Sequence, residues 1–273
     1  MIANPAAATK AGSRARRFSP RFTTLIAIPL VAVLGTFSMT AQAWDWGFGW
    51  GKNVSGSGNI KTETRNVSGF TSIALNLPAT VELRQGTTEG LTIESDDNLL
   101  PLIETVVESG SLKLRPMEKN THLKTKTMKL IVNFKTIDTL AVAGSGDFVA
   151  SSLKTASLKA SIAGSGDVRI KSLTTDYLKI SIAGSGDFTA GGKTTVLEAA
   201  IAGSGDIRAD KLEAKNVKVS VAGSGDAAVW ATETLKVSVA GSGDVKYYGD
   251  AQLTKSIAGS GSATRMGAAP AAQ

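Results

Sequence analysis

The stretch that decides the fold is LKASIAGSGDVRI, residues 158–170. Leu158, Ala160, Ile162, Gly164, Gly166, Val168 and Ile170 share one parity. Lys159, Ser161, Ala163, Ser165, Asp167 and Arg169 share the other. A period of two with apolar residues on one side is the pattern of a β-strand. Both glycines fall on the apolar, inward parity. A side chain there would collide at a corner, so Gly-Ser-Gly reads as a bend within a continuing strand path.

The same block recurs. Ala-Gly-Ser-Gly-Asp starts at Ala143, Ala163, Ala183, Ala202, Ala222 and Ala240, and a seventh copy at Ala258 ends in Ser262. The intervals are 20, 20, 19, 20, 18 and 18 residues. A repeat of this length is a supersecondary unit that cannot bury its apolar face alone. Stacking puts Ile162 over Ile182 over Ile201 and makes one continuous core. The expected fold is all-β: a parallel β-helix of about 18–20 residues per coil, with successive copies about 4.8 Å apart. A propeller or sandwich is the alternative. It needs roughly 40-residue blades or Asn-Gly hairpins, and neither is present. The handedness does not follow from the pattern.

The remainder of the chain divides around this block. Residues 1–22 are basic and free of acids, Thr23 to Met39 are almost wholly apolar, and Ala41-Gln42-Ala43 follows. This is the layout of a secretory signal peptide over 1–43, which implies export to the periplasm, outer surface or extracellular space. A short membrane anchor is the competing reading. No later segment is apolar enough to span a membrane. Residues 44–59 form an aromatic and Gly-rich segment that opens WDWGFGWGKN. Residues 60–136 read as irregular early coils, with strands at 70–77, 80–84, 91–95, 112–115 and 128–134. LLPLIETVVES, after Asp97-Asn98, reads as a short helix that caps the stack. Residues 137–263 are the regular repeat, and 264–273 a flexible tail.

Composition narrows the chemistry. The chain of 273 residues has a formal charge of +7, but five of its bases lie in the first 43 residues, which hold no acid. What remains is 25 bases against 23 acids, too little excess to imply nucleic-acid binding. There is no cysteine, which excludes disulfides, thiolate metal sites and cysteine nucleophiles. His122 is the only histidine; it sits in the polar run KNTHLKTKT and has no evident catalytic partner. The lysines of that run are most simply a solvated strand face, although they could also touch anionic headgroups.

Stacking turns the motif into ladders. Ser145, Ser165, Ser185, Ser204, Ser224 and Ser242 form one outward column. Asp147, Asp167, Asp187, Asp206, Asp226 and Asp244 form another. Carboxylates about 5 Å apart repel by about 1 kcal/mol per pair even in water, so something must offset them. Hydrogen bonds from turn N–H groups are the simplest answer. A row of Ca²⁺ ions is a second, since hard cations take oxygen ligands. A regular Ala-Ser-Asp face that binds a glycan or a cell-surface protein is a third. β-Helices also carry polysaccharide-cleaving sites, but catalysis needs one asymmetric site. Nearly identical coils without a long inserted loop do not build one, so no catalytic residue and no cofactor is expected.

Three segments together resemble a known family. VSGFTSIALNLPATVELRQG at 67–86, DDNLLPLIETVVESGSLKLRP at 96–116 and the AGSGD blocks are similar to the bacterial head GIN domain family, also described as putative auto-transporter adhesin or DUF2807. The similarity covers roughly residues 60–262. It implies a parallel β-helix that is exported or surface-exposed; it implies no established activity, adhesion being the role usually proposed for the family. It implies no catalytic residues.

Overall fold

The computed structural model describes residues 51–270. The expected signal peptide and the tryptophan-rich opening at 44–50 lie outside the described residues. The chain is a β-solenoid of about six turns. Its first nine strands are β1 (Lys52–Ser55), β2 (Ile60–Arg65), β3 (Ser72–Leu75), β4 (Thr80–Gln85), β5 (Gly90–Asp96), β6 (Ile103–Glu108), β7 (Ser111–Pro116), β8 (Thr121–Lys124) and β9 (Lys129–Phe134). The repeat region follows with β10 (Thr139–Gly144), β11 (Asp147–Ala150), β12 (Leu153–Lys154), β13 (Ser157–Gly164), β14 (Val168–Gly184), β15 (Phe188–Gly203), β16 (Ile207–Gly223), β17 (Ala227–Gly241), β18 (Val245–Tyr248), β19 (Gln252–Gly259) and β20 (Ala263–Gly267).

In the repeat region every pairing between neighbouring coils is parallel and the motifs are in register. Ala143 pairs with Ala163, then Ala183, Ala202, Ala222, Ala240 and Ala258 in succession. Ile162, Ile182 and Ile201 lie over one another and are buried. The core is a continuous apolar column that the inward parity of every strand feeds. Each coil has three walls. The first leads into AGSGD, the second follows it, and the short third wall joins Leu153, Leu173, Gly192 and Leu212. Register shifts fall in the part of the coil around the third wall, between Ile170 and Leu173, Thr189 and Gly191, Ala209 and Glu213, Ala214 and Asn216, and Tyr247 and Tyr248. The 18-to-20-residue variation is therefore absorbed there, and the motif wall stays aligned.

The corner explains the glycines. The first glycine of each motif takes φ between +100° and +137°, a region that L side chains rarely adopt. The second has no room: a Cβ on Gly186 would stand 2.1 Å from the Gly166 carbonyl oxygen and 2.8 Å from Ile162 Cγ2. The close approach has a purpose. The Gly164 carbonyl accepts hydrogen bonds from both Ser185 N–H (2.8 Å) and Gly186 N–H (3.1 Å) of the next coil, and the pattern repeats up the stack.

The N-terminal half corrects two expectations. First, 99–109 is not a helix. A single 3₁₀ turn at Leu100–Leu102 leads into β6, which pairs antiparallel with β7. Pro101 and the β-branched run Ile103, Thr105, Val106 and Val107 disfavour an α-helix. Ser109 and Gly110, with φ of 51° and 75°, form the two-residue hairpin turn. Second, the stack does not follow chain order. β3 lies between β7 and β10, and β4 lies between β9 and β11. The layer of β7, β8 and β9 thus forms the end. Its edges are covered by β6 on β7, by β5 and then β2 on β9, and by β1 on β8. A cap does exist, but it is made of strands, because a strand edge is best satisfied by another strand. Two smaller differences follow. Residues 52–55, within the segment read as aromatic and Gly-rich, form β1, and the region expected as a tail from 264 begins as β20.

Between β1 and β2 the chain is held against Asp96 and Asp97. Asp96, 3% exposed, accepts from Gly58 N–H (2.6 Å) and the Thr125 hydroxyl (2.6 Å). Asp97 accepts from the Ser57 hydroxyl (2.6 Å) and the Asn59 amide (2.8 Å). These donors hold both carboxyls below the usual carboxylate range, with Thr125 the largest cause for Asp96 and Ser57 for Asp97.

Two predictions follow from this architecture. Gly186→Ala should lower stability in denaturant unfolding by about 1–3 kcal/mol, as overpacking does. Gly86→Ala, where a Cβ meets nothing within 4 Å, should stay within about 0.5 kcal/mol. For Asp96 and Asp97 the folded carboxyl is the stronger acid, so their contribution is present above the unfolded pKa. It is lost as pH falls through the folded one. Hydrogen exchange should show the Gly58 amide losing protection below the ordinary carboxylate range, ahead of the amides in β14 to β16.

Candidate binding face

The first wall presents its outward parity to solvent as parallel columns. One column is alanine in all seven copies, Ala143 to Ala258, and every member is exposed. Beside it run Ala141, Ser161, Ser181, Ala200, Ser220, Ser238 and Ser256. Next outward are Lys159, Lys179, Glu198, Lys218 and Lys236. Small side chains in two adjacent columns leave a trough of about 880 Å³ that runs along the stack. Its capped end meets Asn76, Lys113 and Arg115. Those two bases are already partnered by β6: Lys113 with Glu108, and Arg115 with Glu104. Glu108 is held below its ordinary range by Lys113, and Arg115 is held above its own by Glu104. Along the lysine column the ion pair is Lys179 with Glu198, 3.8 Å apart.

The two expected ladders have different duties. Ser145, Ser165, Ser185, Ser204, Ser224 and Ser242 are all exposed on the corner next to the alanine column, and no hydrogen bond to their hydroxyls is found among the described residues. The aspartates are bound into the fold. Asp147 Oδ1 accepts from Asp167 N–H (2.9 Å), Asp167 from Asp187 (2.8 Å), and Asp187 from Asp206 (3.0 Å). Asp206 accepts from Asp226 (3.1 Å), and Asp226 from Asp244 (2.8 Å). Each carboxylate thus caps the backbone of the aspartate one coil on, and this offsets the repulsion between neighbours. Arg208 bridges Asp187 (3.1 Å) and Asp206 (3.0 Å), and Arg169 pairs with Asp167 at 2.5 Å. The seventh copy fits the rule. Ser262 donates its N–H and hydroxyl to Asp244, and no coil stands above it among the described residues to need a carboxylate.

The described residues hold no group of three or more His, Cys, Asp or Glu placed to bind a metal. His122 is exposed on β8 with its ring against Gly51. It lines a second, polar pocket of about 920 Å³ that shares Asn76, Arg115 and Ala143 with the trough. No helix among the described residues is long and apolar enough to cross a membrane. The columns of the trough were legible as outward positions in the sequence. The trough itself was not, because its capped end is built by Lys113 and Arg115 of β7, which stacks out of chain order.

Stacked parallel coils with a repetitive outer wall define a β-solenoid. The family described as "Putative auto-transporter adhesin, head GIN domain" matches residues 69–251, and the chain belongs to it. A putative adhesin from Bacteroides fragilis is similar in structure, with a TM-score of 0.73 and 28% identity; the match covers 78% of this chain and 100% of that one. A putative lipid binding protein from Parabacteroides distasonis gives a TM-score of 0.67 and 28% identity, covering 79% of this chain and 100% of that one. A putative adhesin from Parabacteroides merdae shares the fold at 22% identity, with a TM-score of 0.63 over 79% of this chain and 99% of that one. The family and these neighbours are described as adhesins or binders, not as enzymes. Comparison with curated proteins gives no match.

The division between the ladders is open to measurement. Asp187→Ala leaves the Asp206 N–H without its acceptor and should cost about 1 kcal/mol in urea unfolding, as the loss of a capping oxygen does. Ser185→Ala should be neutral within about 0.5 kcal/mol.

Proposed function

We propose that this chain is an exported, non-enzymatic adhesion module of the cell envelope that holds an extended glycan along the first wall. One observation carries the reading. The exposed column from Ala143 to Ala258 keeps one small residue through seven coils, and unlike the aspartate column its side chains make no hydrogen bond between coils. The apolar floor suits the flat face of a sugar ring. Serine hydroxyls lie on both sides of that floor, in the Ser161 to Ser256 column and the Ser145 to Ser242 column, and can hydrogen-bond ring substituents. The floor repeats once per coil, about every 4.8 Å, so a repetitive polymer can be met again in each layer. Lys159, Lys179, Lys218 and Lys236 along one rim favour an acidic polymer. The basic, apolar leader at 1–43 and the adhesin family support the cellular setting. Engagement of the aspartates by backbone N–H groups supports a reading in which the serines, rather than the aspartates, meet the ligand.

The nearly apolar trough favours a second reading, in which it takes an acyl chain; one structural neighbour is described as a putative lipid binding protein. A single pair of substitutions tests both. Ala183→Glu with Ala202→Glu places two carboxylates on the trough floor at positions where folding leaves the side chain exposed. Binding to acidic glycans on an array should fall by about tenfold or more, equivalent to about 1.4 kcal/mol, with the circular dichroism unchanged. Glycan binding that is unaltered by the pair, or absent in the unmodified chain, overturns the glycan reading. Displacement of a fluorescent fatty acid from the unmodified chain but not from the pair would favour the acyl one.

A further inference from the structure

The two ends of the solenoid are finished differently. At the β7–β9 end every strand edge is covered by another strand. At the other end the last layer among the described residues is β19 and β20, and each pairs there on one side only, with β17 and β18 respectively. Their outer edges are long, parallel and in register, and they offer unpaired N–H and C=O groups. Leu253 and Ile257, which lie over the buried Leu235 and Val239, are only half-covered. Physically this is a template for one more coil, or for the same end of a second copy of this chain.

The inward columns change character in this layer. In the first wall, Ala160, Ile180, Ala199, Val219 and Val237 are stacked and at most 3% exposed. The next residue in that column is Lys255, which is exposed. In the second wall, Ala150, Ile170, Ala190, Ala209, Val229 and Tyr247 are buried, and the next in line is Arg265, also exposed. In both walls a cation occupies the position that every lower coil of the repeat gives to an apolar side chain. Arg265 is fixed across the open end: its Nε donates to the Gly249 carbonyl (2.9 Å), and its guanidinium pairs with Asp250. Lys255 has no ion-pair partner among the described residues. To accept another layer, both would have to lose water in an apolar column, at a cost that a stacked valine would not incur.

We propose that Lys255 and Arg265 are stop residues, which close the β19–β20 end against strand addition by a second copy of the chain. The inference is independent of what the first wall binds. Replacing both with the residues of the preceding coils removes the penalty and leaves the edge.

Size-exclusion chromatography with light scattering, run on the full chain over a dilution series, tests this. The Lys255→Val/Arg265→Val variant should show at least twice the mass of the unmodified chain at high concentration and return towards it on dilution. Lys255→Val alone, which leaves the Arg265 contacts intact, should shift in the same direction to a smaller extent. Lys255→Glu, which keeps a charge in the column, should run with the unmodified chain. A folded double variant with unchanged mass at every concentration overturns the proposal. If the double variant does not fold, an unchanged mass for Lys255→Val does the same. Association of Lys255→Glu would show that charge is not what closes the end.

Discussion

The structure depends on how closely one coil's corner can sit on the next. At each Gly-Ser-Gly the backbone of one layer meets the backbone of the layer below, with a carbonyl oxygen standing where a Cβ would be. The carbonyl of the first glycine, as at Gly164, takes two N–H groups from above. Any side chain on the second glycine would wedge two layers apart, and the wedge would act on the parallel pairing of both adjoining walls. The glycines therefore set the spacing between coils, and the apolar column gains its burial only because that spacing holds. Coil length is free to vary by two residues as long as the variation is taken up around the third wall, away from this corner.

The same constraint explains the division of the surface. Asp187 and its equivalents, all half-buried except the exposed Asp226, are hydrogen-bonded across coils, so their repetition has a structural cause. The alanine column and the corner serines have none of comparable strength. Both are exposed, and the alanine column lines a trough along the repeat region. Repetition alone could not separate the two cases in the sequence, since all three columns recur with equal regularity. The hydrogen-bond partner of each carboxylate lies 18 to 20 residues away, and only the register reveals it.

Much of the fold was legible because the signals were local and periodic. Alternation in 158–170, the fixed position of the two glycines and the AGSGD interval are enough to place Ile162 over Ile182. The five strands expected between 70 and 134 correspond to β3, β4, β5, β7 and β9. The failures arose where a distant partner decides the local structure. LLPLIETVVES has the apolar content of a short helix, yet β7 offers an open edge, and the β-branched residues of β6 pair with it. Ser109-Gly110 was the available hint of a hairpin. Residues 52–55 carry almost no strand pattern and become β1 only because β8 lies alongside.

The inverted order of the first layers sets a direction for assembly. Strands β3 and β4 cannot be enclosed until the chain has travelled on to β7 and β9, laid them on one side, and come back with β10 and β11 on the other. The covered end must close through contacts between residues far apart in the chain, which is the slow kind of folding step. Every later coil needs only its immediate predecessor. The pairings that depart from chain order are thus gathered at the covered end, and the repeat keeps to neighbours in the chain. Added or deleted coils should be tolerated within the repeat and not within residues 60–136.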